Sequence, residues 1–184
     1  VGYPRDSRNV HLNFISDMLV EEAHLVFCGY GHNAGTDVFD EFFVRYDYVN
    51  HQVDWARKTA LNIKPNNIHP YDDGYIVTGD EYAKGKFGLS FFKLQSKNGR
   101  VNDFTTWYYM GHESASHSAI IDDIIYVGGR YGLKPRTDKY RASLSQFKTS
   151  DFSQIQSNYF LNSKQDEARA YLSDFFLRDD TIIA

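Results

Sequence analysis

Apolar and polar positions alternate along most of the chain, and one arrangement returns. Residues 120–132, IIDDIIYVGGRYG, set apolar runs on both sides of an acidic pair and close on glycine. About fifty residues earlier, PYDDGYIVTGDEYAKGKFG has the same order of parts. The glycines that end HLVFCG, GYIVTG and IIYVGG are Gly29, Gly79 and Gly129, spaced fifty residues apart. Acidic pairs keep step as Glu21-Glu22, Asp72-Asp73, Asp122-Asp123 and Asp179-Asp180. The last is followed by TIIA, a fourth copy of the apolar run. Equal spacing of this kind is the mark of a repeat, and a repeat decides the fold before any single element does.

Each unit holds further strand-like segments. One follows the anchor glycine: DEFFVRYDYV (40–49), GLSFFKLQ (88–95) and KYRASLSQF (139–147). Another comes next: QVDWARKTALN (52–62), RVNDFTTWYYM (100–110) and FSQIQSNYFLN (152–162). A last one precedes each acidic pair: NNIHPY (66–71), SHSAII (116–121) and RAYLSDFF (169–176). Four strands in about fifty residues, joined by turn-forming DDG, KNG and KPRTD, make a small antiparallel sheet. Such a sheet has two apolar faces and cannot bury both alone, so neighbouring copies stack. The fold class expected is all-β: a β-propeller fragment of about three and a half four-stranded antiparallel blades. A β-sandwich with regular hairpins is the competing architecture. Residues 1–13 are expected to form an N-terminal extension, and the units to run over 14–62, 63–111, 112–162 and 163–184, the last incomplete. A ring needs at least four blades. The expectation is therefore that these residues belong to a longer protein, or that the missing blades come from elsewhere.

Two segments resemble the kelch repeat. In RYDYVNHQVDW, Tyr48 and Trp55 stand seven apart around a turn, and DDIIYVGG resembles the kelch strand that ends in a glycine doublet, here Gly128-Gly129. The likeness is degenerate: Gly29 stands alone and Gly79 is followed by Asp80. FFKLQSKNGRVNDF is more similar to short bacterial-type propeller repeats that read strand, Asn-Gly turn, Asp-Phe. The resemblance spans about residues 14 to 184. It implies a propeller used as a binding scaffold, and it carries no catalytic residues with it.

Composition agrees with strands. The chain has 184 residues and is 16% aromatic, with fourteen Tyr and fourteen Phe, residue types suited to pleated, half-buried surfaces. A net charge of −4 and the lack of any basic run argue against a nucleic-acid partner. No apolar run reaches the length of a membrane span, and VGYPRDSRNV does not read as a signal peptide. Cys28 is the one cysteine, which rules out an internal disulfide and suits a buried strand thiol. The compartment is not legible.

Candidate chemistry is sparse. His112, Glu113 and His117 lack the spacing of a zinc helix. His69 and His117 fall near the first strand of two units, where a central channel would let them bind an anion or a metal together. The acidic pairs suit turns; no Ca²⁺ loop is present. There is no Gly-x-Ser-x-Gly elbow and no phosphate loop. The segments after Gly79 and Gly129 mix Tyr with Lys or Arg, GYGHNAGTDVFDE is their counterpart in the first unit, and exposed loops on a rigid scaffold are common binding sites. Tyr30, Tyr82, Arg130 and Tyr131 are the binding candidates, since Tyr and Arg favour interface hot spots. No catalytic set, metal or cofactor is expected. The function expected is a protein-binding or structural scaffold, in a larger assembly or alone. The alternative is a propeller hydrolase or lyase with a polar channel.

Overall fold

The computed structural model describes residues 11–33, 38–83, 86–108, 112–132, 140–160, 175–178 and 181–183. The described residues form strands and turns, with no helix among them. The first antiparallel sheet has the order β1 (His11–Val20), β2 (His24–Asn33), β3 (Val38–Asp47), β4 (Gln52–Lys58). The second is β5 (Ile63–Tyr71), β6 (Gly74–Ala83), β7 (Lys86–Gln95), β8 (Val101–Tyr108). The third joins β9 (His112–Ile121), β10 (Ile124–Gly132), β11 (Tyr140–Lys148) and β12 (Gln154–Phe160) in sequence order. A hairpin of β13 (Phe176–Arg178) and β14 (Thr181–Ile183) follows. Strand β1 starts at His11, inside the stretch expected to be an extension. The pair Asp179-Asp180 lies outside the described residues.

The fifty-residue period is visible in the turns. Asp72 and Asp122 open two-residue hairpin loops with φ of 51° and 49°, the positive sign that matches the twist of the flanking strands. The second loop residue is the structural constant. The carbonyls of Ala23, Asp73 and Asp123 accept the N–H of Tyr48, Ser96 and Thr149, respectively. In the first sheet the two loop residues are thus Glu22-Ala23, with Glu21, just past the end of β1, donating its N–H to the His24 carbonyl.

The third turn of each sheet is also one design. Loops 48–51, 96–99 and 149–152 each end in a left-handed residue: His51 (φ 56°), Gly99 (66°) and Phe152 (58°). Only the middle sheet spends a glycine there. Gly99 has a second reason: a Cβ on it would lie 2.5 Å from the Trp55 ring. Phe152 holds its left-handed backbone against the usual cost to a bulky side chain. Its ring is fully buried and stacks on Phe91, with centroids 5.4 Å apart. Burial of this kind contributes roughly 1.5–3 kcal/mol per large apolar side chain.

The anchor glycine of the first unit is explained by close approach. A Cβ on Gly29 would meet the Phe14 carbonyl oxygen at 2.1 Å and the Phe42 ring at 2.5 Å. Beside it, β1 carries an extra residue, Ser16, and β9 carries its counterpart Ser116 opposite Gly128-Gly129.

The chain divides into two compact units, residues 1–77 with 93–103 and residues 78–92 with 104–184. In the first, β5 packs across β1, β2 and β3, over a core that includes Val26, Cys28, Phe43 and Ile63. Cys28 is fully buried, and burial, then the Asp17 charge, pushes its thiol up to about 12. It is an inert core thiol. The second unit is built on Phe91, Phe92, Ile125, Phe147 and Phe152, with Phe91 and Phe147 4.6 Å apart between centroids.

The same joints recur in both units. A carboxylate of one sheet accepts a backbone N–H from the first strand of the next: Asp17 from Ile68 at 3.0 Å, and Asp80 from Ala115 at 2.6 Å. An outer-strand tryptophan donates to the next sheet's third turn: Trp55 to the Ser96 carbonyl at 2.7 Å, and Trp107 to the Phe152 carbonyl at 2.8 Å.

Candidate functional site

Two features of the first unit stand out: a polar cluster at one end of the first sheet and an apolar face on that sheet. The cluster is assembled by period-two geometry, which sends Arg45 and Asp47 of β3, and His24 of β2, to one face. Asp54 reaches that face from the bulge in β4. The Arg45 guanidinium meets Glu21 at 3.2 Å, Asp54 at 3.5 Å and His24 Nδ1 at 3.2 Å. His24 Nε2 lies 3.0 Å from Asp54. A guanidinium only donates, so His24 Nδ1 is placed to accept from Arg45 and Nε2–H to donate to Asp54. Tyr75 donates to Glu21 at 2.8 Å. Burial first, then the Glu21 bond, raises the Tyr75 hydroxyl above its ordinary range, so it stays a donor.

Ligand atoms of His24, Asp47 and Asp54 lie within 4.8 Å of one another, close enough to hold a metal. The donor set fits that poorly. Asp47 is committed to its turn, accepting from Val49 N at 2.9 Å, Asn50 N at 2.8 Å and the Asn50 amide at 2.6 Å. A dication beside Asp54 would also face the Arg45 guanidinium, and like charges that close repel. The cluster is a closed ion-pair network and contains no activated nucleophile. The Asn50 N–H and then the Asn50 amide hold the Asp47 carboxyl below the usual range. A depressed folded pKa stabilises above the unfolded value of about 3.9 and is lost as pH falls through the folded one. Stability is therefore expected to drop below about pH 4, with a shallower acid limb in Asp47→Asn. Urea midpoints against pH check this; parallel curves would remove Asp47 from the effect.

The residues singled out from sequence fall as follows. Tyr30, Tyr82, Arg130 and Tyr131 lie in strands β2, β6 and β10 rather than in loops, because these strands run on past the anchor glycines. Tyr30 is half-buried, stacks on Phe14 at 5.1 Å, meets Phe39 edge-on at 5.4 Å and carries Lys64 Nζ 5.6 Å from its centroid. Arg130 is exposed. The side chains of Tyr82 and Tyr131 lie outside the described residues, as do those of His112 and Glu113. His69 is half-buried in β5, three residues before Asp72. His117 stands five before Asp122, opposite Gly128, with its ring edge-on to Phe175 at 5.1 Å. The two histidines thus share a strand parity but occupy different rungs, and the counterpart of His117 in the second sheet is Asn67.

The apolar face is the opposite side of the first sheet. Strand register puts Ile15, Met18 and Val20 of β1 beside Leu25 and Phe27 of β2, then Phe42, Val44 and Tyr46 of β3, and Val53 and Ala56 of β4. Ile15, Met18, Val20 and Val53 are 65%, 52%, 64% and 57% exposed, and the rest of this face is exposed or half-buried. The second sheet shows what these positions normally do. Fifty residues on from Met18, Leu25 and Phe27 stand Ile68, Tyr75 and Val77, exposed by only 3%, 2% and 0%. Turn alignment likewise pairs Tyr46 with Leu94, at 2%. Alternation marked these residues as strand, but nothing local separates a covered face from an open one.

A scan against protein-family models finds no match, and no curated protein matches the chain. Among the described residues no helix is long and apolar enough to cross a membrane.

Proposed function

We propose that this chain is a protein-binding or structural scaffold module of propeller type, whose four-stranded sheets serve as blades. The kelch-like segments and the repeated inter-sheet joints support the blade assignment. One observation carries the function: repeat positions buried in the second sheet are open in the first. The largest contiguous apolar patches on soluble proteins are commonly sites where other proteins attach. The polar cluster supplies no acid/base pair that is not already satisfied internally, so binding is favoured over hydrolase or lyase chemistry. Tyr30 and Arg130, a hundred residues apart at matching places, remain secondary contact candidates, with Tyr82 and Tyr131.

Oxidative footprinting of the dilute chain, with a broad hydrolase screen, tests this. Met18 is expected to label as an exposed side chain and no substrate to turn over. Protection of Met18 in dilute protein, or turnover abolished by one substitution, would overturn the proposal.

A further inference from the structure

Resting on that reading, we infer that the open face of the first sheet pairs with the same face of a second copy of this chain. The face suits a sheet rather than a groove-seeking peptide. It is four strands wide, and of its second-sheet counterparts Ile68 lies on β5, which packs on β1, β2 and β3, while Tyr75 meets Glu21 and Trp55. The comparable faces elsewhere in the first unit are already used. The other side of the first sheet carries β5, and Trp55 and Glu21 on that side engage Tyr75. In the second unit, the His117 side of the third sheet meets Phe175, which is 3% exposed.

Charge supports an identical partner. The charged side chains that register places on the face are Asp40 and Lys58, and they pair with each other at 2.9 Å. A copy of the face therefore meets no unbalanced charge and no like-charge clash. A two-fold axis lets one surface serve both sides, the commonest closed arrangement in homo-oligomers. Four strands about 4.8 Å apart and about ten residues long present roughly 600 Å². Two such faces come to roughly 1,200 Å², the low end for a specific interface, which suits a reversible dimer.

Sedimentation velocity on the full chain, over a concentration series spanning the micromolar range, is the test. Wild type is expected to move from monomer to dimer with concentration. Met18→Lys and Val20→Lys should each weaken dimerisation by about tenfold or more, while Ile155→Lys, exposed on β12, dimerises as wild type. Circular dichroism identifies any variant that fails to fold, and the other lysine variant then decides. A wild type that stays monomeric throughout overturns the second copy. If Met18 still labels in footprinting, that result leaves the face as a site for another protein. Dimerisation unchanged in the folded lysine variants overturns the assignment to this face.

Discussion

Trp55→Ala is expected to be among the most damaging single substitutions in the first unit, costing about 3–5 kcal/mol. Trp55 is buried although the rest of its strand is exposed: β4 is a sheet edge, and of its side chains only this one is covered. Three contacts are lost together. The indole N–H no longer satisfies the Ser96 carbonyl, the ring leaves Tyr75, and the space over Gly99 empties. Trp55→Phe separates the terms: it keeps most of the packing and loses the hydrogen bond, for about 1 kcal/mol. Gly99→Ala attacks the same joint from the other side, adding a methyl against the ring at a left-handed backbone position. Urea unfolding of the three variants checks the order. A Trp55→Ala protein within about 1 kcal/mol of wild type would show that the joint does not hold the sheets.

Glu41→Ala is expected to cost about 3 kcal/mol, through groups left behind rather than through the side chain removed. Glu41 is a fully buried carboxylate in β3. It accepts from the Thr59 hydroxyl, from Leu61 N at 2.6 Å and from Ile63 N at 3.4 Å, while the Thr59 N–H bonds its carbonyl at 3.2 Å. Asn62, left-handed at φ 60°, adds its side-chain oxygen as acceptor for Phe39 N at 2.9 Å. Together these satisfy the backbone of the crossover from the first sheet into β5. Alanine leaves the part-buried Thr59 and Leu61 donors and the buried Ile63 N–H without this acceptor. Glu41→Gln keeps one acceptor but turns an amide NH₂ toward N–H donors, so it should fall between the two. Hydrogen exchange gives a local reading: the Leu61 and Ile63 amides should exchange faster in both variants. Unchanged exchange would mean that the crossover does not depend on this carboxylate.

Most of the strand plan was legible in the chain because it rests on local rules. Alternation sets strands, acidic pairs set tight turns, and glycine marks where two backbones crowd. The fifty-residue period appears in the hydrogen bonds of Ala23, Asp73 and Asp123 as it does in the letters. Local rules also misplace things by a residue or two. Glu21-Glu22 reads as the first acidic pair, yet the loop is Glu22-Ala23, because the partner strand and not the charge sets the register. The segments holding Tyr30 and Arg130 read as loops, yet they are strand. Glycine only permits a turn there, and cross-strand hydrogen bonds carry β2 and β10 onward.

By itself, the sequence determined the all-β class, the repeat and its period, the acidic turns of the second and third units, and a buried Cys28. Each follows from the preference of neighbouring residues for one backbone shape or from an apolar run too regular to face water. Tertiary structure alone decided the rest. It brought Glu21, His24, Arg45, Asp54 and Tyr75 into one network, though they lie on a turn and four different strands and repeat with no period. It made Trp107 the counterpart of Trp55, fifty-two residues away, because a turn, not a spacing, receives each indole. It left one face of the first sheet open while its repeat-mate is covered. Residues of similar polarity sit on both faces, and exposure is settled by which sheet packs on which.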